Sequence, residues 1–243
     1  MRILCAAWLM LNAGGPHEPP YQGTSVIPLI VEGVEILPAD RENRSPRQIA
    51  VQVRNVGTRT IVAWGLRGRV TFANGVSSAV GTGIDGYESA VRAVPDDPVL
   101  QVGAVYTIRM EIPSRDVAEP VSATAVPIHA VFDDDTAVGD DRSVDFVFRQ
   151  RALNARVWQL ISQALDNAAD GSTDAIAALR MAQAALEAAE EADRQSLPCR
   201  EVQNRIRFAL TGLHAAEIQQ LFGELRKEAR VRSEVAAAHA VRR

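Results

Sequence analysis

The chain has 243 residues, 47% apolar and 23% charged, which is ordinary for a soluble globular protein and leaves room for one large domain or two modest ones. Its formal charge of -4 gives no electrostatic basis for nucleic-acid binding, which needs a clustered excess of Lys and Arg. Lys227 is the single lysine among 26 basic residues, so lysine Schiff-base or general-base chemistry has almost no scope.

Residues 1–15, MRILCAAWLMLNAGG, read as a signal peptide: Arg2 is a minimal positive start, Ile3 to Leu11 an apolar run, and Asn12 to Gly15 a small-residue cleavage region. Such a run is far short of the roughly 20 residues that a membrane-spanning helix needs. The expectation is export to the periplasm or the exterior. Cleavage would remove Cys5 and leave Cys199 alone, so the fold would depend on packing without an internal disulfide. Residues 16–24, PHEPPYQGT, read as a spacer.

A period of two follows. Ile27 to Leu37 reads as a first strand, and Gln48 to Val56 as a second with Ile49, Val51 and Val53 on one face. In Ile61 to Phe72, residues Val62, Trp64, Leu66, Val70 and Phe72 are read on one face, with Arg67, Arg69 and Thr71 opposite. Asn74-Gly75 marks a hairpin, because both residues tolerate positive φ, and Val76 to Val80 reads as the return strand. Leu100 to Ile112, Val121 to Phe132 and Val144 to Phe148 complete a set of seven or eight strands, the last two separated by the acidic turn Asp133 to Asp141. Strands that follow one another without helices exclude a parallel βαβ sheet and favour an antiparallel sandwich.

The run VQVRNVGTRTIVAWGLRGRVTFANG, with Trp64 in the middle of its second strand, resembles exported bacterial sandwich domains of the immunoglobulin-like or fibronectin type III-like kind. The resemblance covers residues 25–148 and implies architecture alone, since this fold hosts many unrelated functions. No cysteine pair flanks Trp64, and no tyrosine-corner spacing is clear, which sets the chain apart from antibody domains.

Near Arg149 the period changes to 3.6, and residues 149–243 read as two to three amphipathic helices continuing from the last strand. Leu153, Val157, Leu160, Ile161 and Leu165 form the first stripe, ended by Asp170-Gly171-Ser172. A second helix is expected from Thr173 to Arg194, and a third from Ser196-Leu197-Pro198, with Val202, Ile206, Leu210, Leu213, Leu221 and Leu225 aligned. Acidic Glu187, Glu190, Glu191 and Asp193 could pair with basic Arg226, Lys227, Arg230, Arg232, Arg242 and Arg243, and the basic end could lie on an anionic membrane.

The chemistry-bearing motifs are few. Gly81 to Gly86 matches G-x-G-x-x-G but lacks the buried parallel strand and following helix of a dinucleotide site, and reads as a flexible loop. Asp133, Asp135, Asp140 and Asp141 are the candidate metal ligands, because a hard cation such as Ca²⁺ wants several oxygens; the other reading is a solvated hairpin tip. His17, His129, His214 and His239 have no metal-site spacing, and His129 reads as a surface residue. Cys199, at a helix start, is open to a lowered pKa from the helix dipole. No catalytic constellation and no cofactor are expected. The expected function is a non-enzymatic interaction or structural module with a protein partner. The alternatives are a Ca²⁺-dependent binder or hydrolase using the 133–141 loop, and an oligomeric assembly device built on the helices.

Overall fold

Alternating apolar residues at 49, 51 and 53 leave a strand one way to bury its side chains, and all three are fully buried in a computed structural model of the protein. The structure describes residues 26–38, 47–87, 99–113 and 118–241; the segments read as leader and spacer lie outside them. The described chain divides into two compact units, residues 26–86 with 99–147, and Tyr87 with residues 148–241.

The first unit contains β1 (Leu29–Leu37), β2 (Gln48–Asn55), β3 (Ile61–Phe72), β4 (Ser77–Asp85), β5 (Val105–Glu111), β6 (Pro120–Phe132) and β7 (Ala137–Gly139). They form two antiparallel sheets, ordered β1-β2-β5 and β4-β3-β6-β7. Ile49, Val51 and Val53 of one sheet share a core with Trp64, Leu66, Val70, Phe72 and Phe132 of the other. A bulge between Val31 and Gly33 switches the parity of β1, so that Leu29 and Val31, then Val34 and Ile36, all reach this core. The expected Asn-Gly hairpin joins β3 to β4, with Gly75 at φ +79°.

Three expectations for this unit are corrected. Gly81 to Gly86 is not a flexible loop, because β4 runs on through Asp85, paired residue by residue with β3. Leu100 to Ile112 is not one strand: Leu100 pairs with Ile61, a turn at left-handed Gly103 intervenes, and β5 starts at Val105. His129 is 5% exposed rather than at the surface. It does point away from the inter-sheet core, but there Ala63 and Val131 are buried as well. Its register neighbours, Gly65 on β3 and Gly139 on β7, carry no side chain, and a Cβ on Gly65 would stand 2.4 Å from the imidazole Cε1.

Val144 to Phe148 is helical rather than extended. Val144, Val147 and Phe148 are buried at i, i+3 and i+4, a pattern as compatible with a helix as the alternation is with a strand. The cap settles it. Asp140 accepts from the backbone N–H and hydroxyl of Ser143 and starts α1 (Asp141–Gly171), inside which the division between the units falls.

The second unit holds the rest of α1 with α2 (Ala175–Glu187), α3 (Glu191–Arg194), α4 (Leu197–Gly212) and α5 (Ala215–Ala238). The Asp174 carboxylate caps α2, and the Ser196 hydroxyl caps α4 ahead of Pro198, as its sequence signals. The stretch read as a third helix is divided at Leu213–His214, where Glu217 accepts from the His214 backbone N–H to start α5. Ile161 and Leu165, Leu179 and Leu186, Val202 and Ile206, and Leu225 form the core, so the stripes cover one another. The charge pairing differs from expectation. Asp166 of α1 accepts from both Arg226 and Arg230 of α5, Glu228 joins Arg205 to Arg232, and Asp193 pairs with Arg156. Arg232 is itself buried, its guanidinium 4.7 Å from the Trp158 ring centroid.

Two measurements check this packing. Gly65→Ala is expected to cost the sandwich about 1–3 kcal/mol in denaturant melts by overpacking. His129→Ala in the same chain should return most of that loss, and strict additivity would contradict the close approach. In the helical unit, hydrogen bonds from Arg230 and then Arg226 hold the Asp166 carboxyl below its ordinary value. A depressed folded-state pKa contributes stability that is present at neutral pH and lost as pH falls through that value. Asp166→Asn should therefore cost about 1 kcal/mol at neutral pH. The gap from wild type should close as pH drops below the ordinary 3.8, and a gap that persists there would contradict the pairing.

Candidate interaction surface

At one end of the sandwich three connections meet: the β2–β3 loop Val56 to Thr60, the approach to β5 from Val99 to Ala104, and the β6–β7 turn Asp133 to Thr136. The register brings them together, because Asn55 ends β2 and Ile61 starts β3 opposite both Leu100 and Phe132. Ile61 and Leu100 exchange both backbone hydrogen bonds, at 3.0 and 2.9 Å.

Asn55 is the pin. Its side chain is fully buried, and its Nδ2 donates to the carbonyls of Arg59 (2.8 Å) and Leu100 (2.9 Å) while Oδ1 accepts from the Gly57 N–H. Its backbone adds bonds with Ala104 and Gly103, so one residue ties two loops together at five points. Arg59 ties in the third. Its guanidinium lies over the Phe132 ring at 4.0 Å and donates to Asp134 and to the Thr136 hydroxyl. The Asp133 N–H donates to the Thr60 carbonyl, and Thr60 bonds Gln101. Around these pins Val56 and Val102 stand 52% and 56% exposed, Val99 is exposed just ahead of Leu100, and the Arg54–Glu32 pair lies on the flank.

The acidic residues serve the turn and the helix start. Asp134 accepts from the Thr136 hydroxyl and N–H and from Arg59, which together hold its carboxyl below the ordinary range. Asp135 takes the left-handed conformation, φ 62°, and is buried. Asp140 caps α1, and Asp141 lies in its first turn. Asp133, Asp135, Asp140 and Asp141 are not gathered: among the described residues no group of three or more His, Cys, Asp or Glu side chains could hold a metal ion. Cys199 is buried at the start of α4, where desolvation first and the Asp193 carboxylate second push its thiol up rather than down. No described helix is long and apolar enough to cross a membrane. Arg226, Arg230 and Arg232 of the basic end pair with carboxylates of α1 and α5.

Asn55 and Arg59 are the residues that sequence reasoning passed over. Asn55-Val56-Gly57-Thr58 marks the end of a strand, but only the fold shows that the amide points inward, and nothing in the sequence pairs Arg59 with an aspartate 75 positions on.

No family model matches the chain, and no curated protein matches it. Among solved structures, a hypothetical protein from Peptoclostridium difficile 630 is similar at 8% identity and a TM-score of 0.34, covering 51% of this chain and 91% of that one. A Northeast Structural Genomics Consortium target, SoR45, is similar at 15% identity and a TM-score of 0.22, covering 46% of this chain and 79% of that one.

Proposed function

We propose that the chain is a non-enzymatic protein-interaction module, exported to the cell envelope or beyond, whose contact surface is the pinned loop end of the sandwich. The observation that carries this reading is the combination of exposed Val56, Val99 and Val102 with a hydrogen-bonded frame beneath them. Ordinary loops are mobile and polar. Here apolar side chains are held out to solvent on loops whose ordering cost is met on folding, which favours binding by pre-organisation. Asp133 and Asp134 beside them give the surface a polar, acidic margin. The export part of the reading rests on the sequence of residues 1–15. The helical unit would serve as an appendage whose apolar stripes pack within the chain.

The test is affinity capture from cell-envelope extracts with three baits: the wild-type chain, a Val56→Asp/Val102→Asp variant, and a Val126→Asp control on the outer sheet face. A protein retained by wild type and control but lost with the double variant is the expected outcome, unchanged by EDTA. Equal capture by all three baits would overturn the assignment of the surface. Capture that requires Ca²⁺ would favour a cation-dependent binder using the 133–141 segment.

A further inference from the structure

The side-chain amide of an asparagine is open to attack by the backbone nitrogen of the next residue, at a rate set by that residue's bulk and by local backbone freedom. Among the described residues there are five asparagines, Asn55, Asn74, Asn154, Asn167 and Asn204. Asn154 and Asn167 lie inside α1 and Asn204 inside α4, where the next N–H belongs to the helical ladder. Asn55 is fully buried with its amide engaged at both ends, and β-branched Val56 follows it. Asn74 differs from the other four. Glycine follows it, at the tip of the β3–β4 hairpin.

The surroundings of Asn74 favour that attack. Ala73, Asn74, Gly75 and Val76 are all exposed, and a Cβ placed on Gly75 would meet nothing within 4 Å. Asn74 Oδ1 accepts from the Val76 N–H at 3.1 Å, an Asx turn that folds the side chain back toward the peptide that follows. The same N–H faces the oxygen on which negative charge develops as the tetrahedral intermediate forms, and so stabilises it. Among the described residues no hydrogen bond holds Nδ2, the nitrogen that would leave. One restraint opposes the reaction: the Gly75 N–H donates to the Phe72 carbonyl at 2.9 Å. That is a single turn bond at an exposed tip, and such bonds open locally without global unfolding.

We propose that Asn74–Gly75 is a self-modification site, at which the chain converts asparagine to aspartate and isoaspartate with water as the sole co-reactant. The Gly75 nitrogen, having lost its proton, bonds to Asn74 Cγ, the Cγ–Nδ2 bond breaks, and ammonia leaves carrying that proton. The resulting succinimide takes up water: hydroxide adds to one of its two carbonyl carbons, the ring C–N bond there breaks, and the nitrogen regains a hydrogen. Opening at Cγ gives aspartate. Opening at the main-chain carbonyl gives isoaspartate, whose main chain runs on through Cβ and Cγ. Either product adds a negative charge, and isoaspartate also lengthens the main chain by a methylene. The Phe72–Gly75 and Phe72–Val76 turn bonds, and the bond from the Ala73 N–H to the Glu119 carbonyl, all lie within two residues of that insertion. Isoaspartate therefore loosens the hairpin end of the sandwich, at the opposite end of β3 from Ile61 and the loop surface.

The experiment ages the folded full-length chain at mildly alkaline pH and follows its peptides by mass spectrometry. The peptide containing Asn74 should gain one mass unit and split into two chromatographic species. The change should be faster as pH rises, because the nucleophile is the deprotonated amide. Peptides containing Asn55, Asn154, Asn167 and Asn204 should stay unchanged. Asn74→Gln, whose ring closure is one atom larger, should remove the change and leave the far-UV circular dichroism as in wild type. The aged chain should melt below Asn74→Asp, which carries the charge without the extra methylene. An Asn74 peptide that keeps its mass in the folded chain, while the urea-unfolded chain gains one unit there, would overturn the proposal. Faster change at another described asparagine would do the same, and equal melting of the aged chain and Asn74→Asp would overturn the loosening by isoaspartate.

Discussion

A fully buried amide governs the end of the sandwich. Asn55 has no exposed surface, yet both amide hydrogens and the side-chain oxygen are satisfied at 2.8 to 2.9 Å. Burying such a group without partners costs roughly 1–3 kcal/mol, so the segments that supply its partners are held to one arrangement. Those partners are carbonyls of Arg59 and Leu100 and the N–H of Gly57, each on a connection rather than on a strand. The three loops therefore inherit the order of the sheets. Arg59, lying on Phe132 and bonded to Asp134 and Thr136, extends that order to the acidic turn.

The two units reach stability by different means. In the sandwich, alternation fills one core and polar pins fix its end. In the helical unit, four amphipathic stripes close on one another, and arginine–carboxylate pairs join α1 to α3 and α5, and α4 to α5. Pairs that are a third or more exposed contribute little individually. Their value lies in orientation, since Asp166 receives two arginines one turn apart and so fixes how α5 lies along α1.

Much of the fold is legible in the sequence, because it depends on period. Ile49, Val51 and Val53 announce β2, Asn74-Gly75 announces the hairpin, and Ser196 with Pro198 announces α4. Failures occur where two readings share a pattern. Val144, Phe146 and Phe148 alternate as a strand would, Val144, Val147 and Phe148 are spaced as on a helix, and the Asp140 cap distinguishes the two readings. His129 alternates away from the core as expected, but alternation does not say whether the outer face is covered. The surface is less legible. Asp134 and Asp140 look alike in sequence, yet one carboxylate stabilises a turn and the other a helix start. Asn55 looks like a turn residue, and its partners at positions 59 and 100 depend on a register that no local signal encodes.

The central claim is that the loop end is one ordered surface because Asn55 pins it. Residue-resolved amide hydrogen exchange, comparing wild type with Asn55→Ala, tests this directly. In wild type the N–H groups of Gly57, Leu100 and Gly103 should be protected at a level near that of mid-strand β2 amides. In the variant Leu100 and Gly103 should exchange about 10- to 100-fold faster, while the helical unit stays unchanged. Exchange of these wild-type amides at open-loop rates, or identical protection in the variant, would contradict the account.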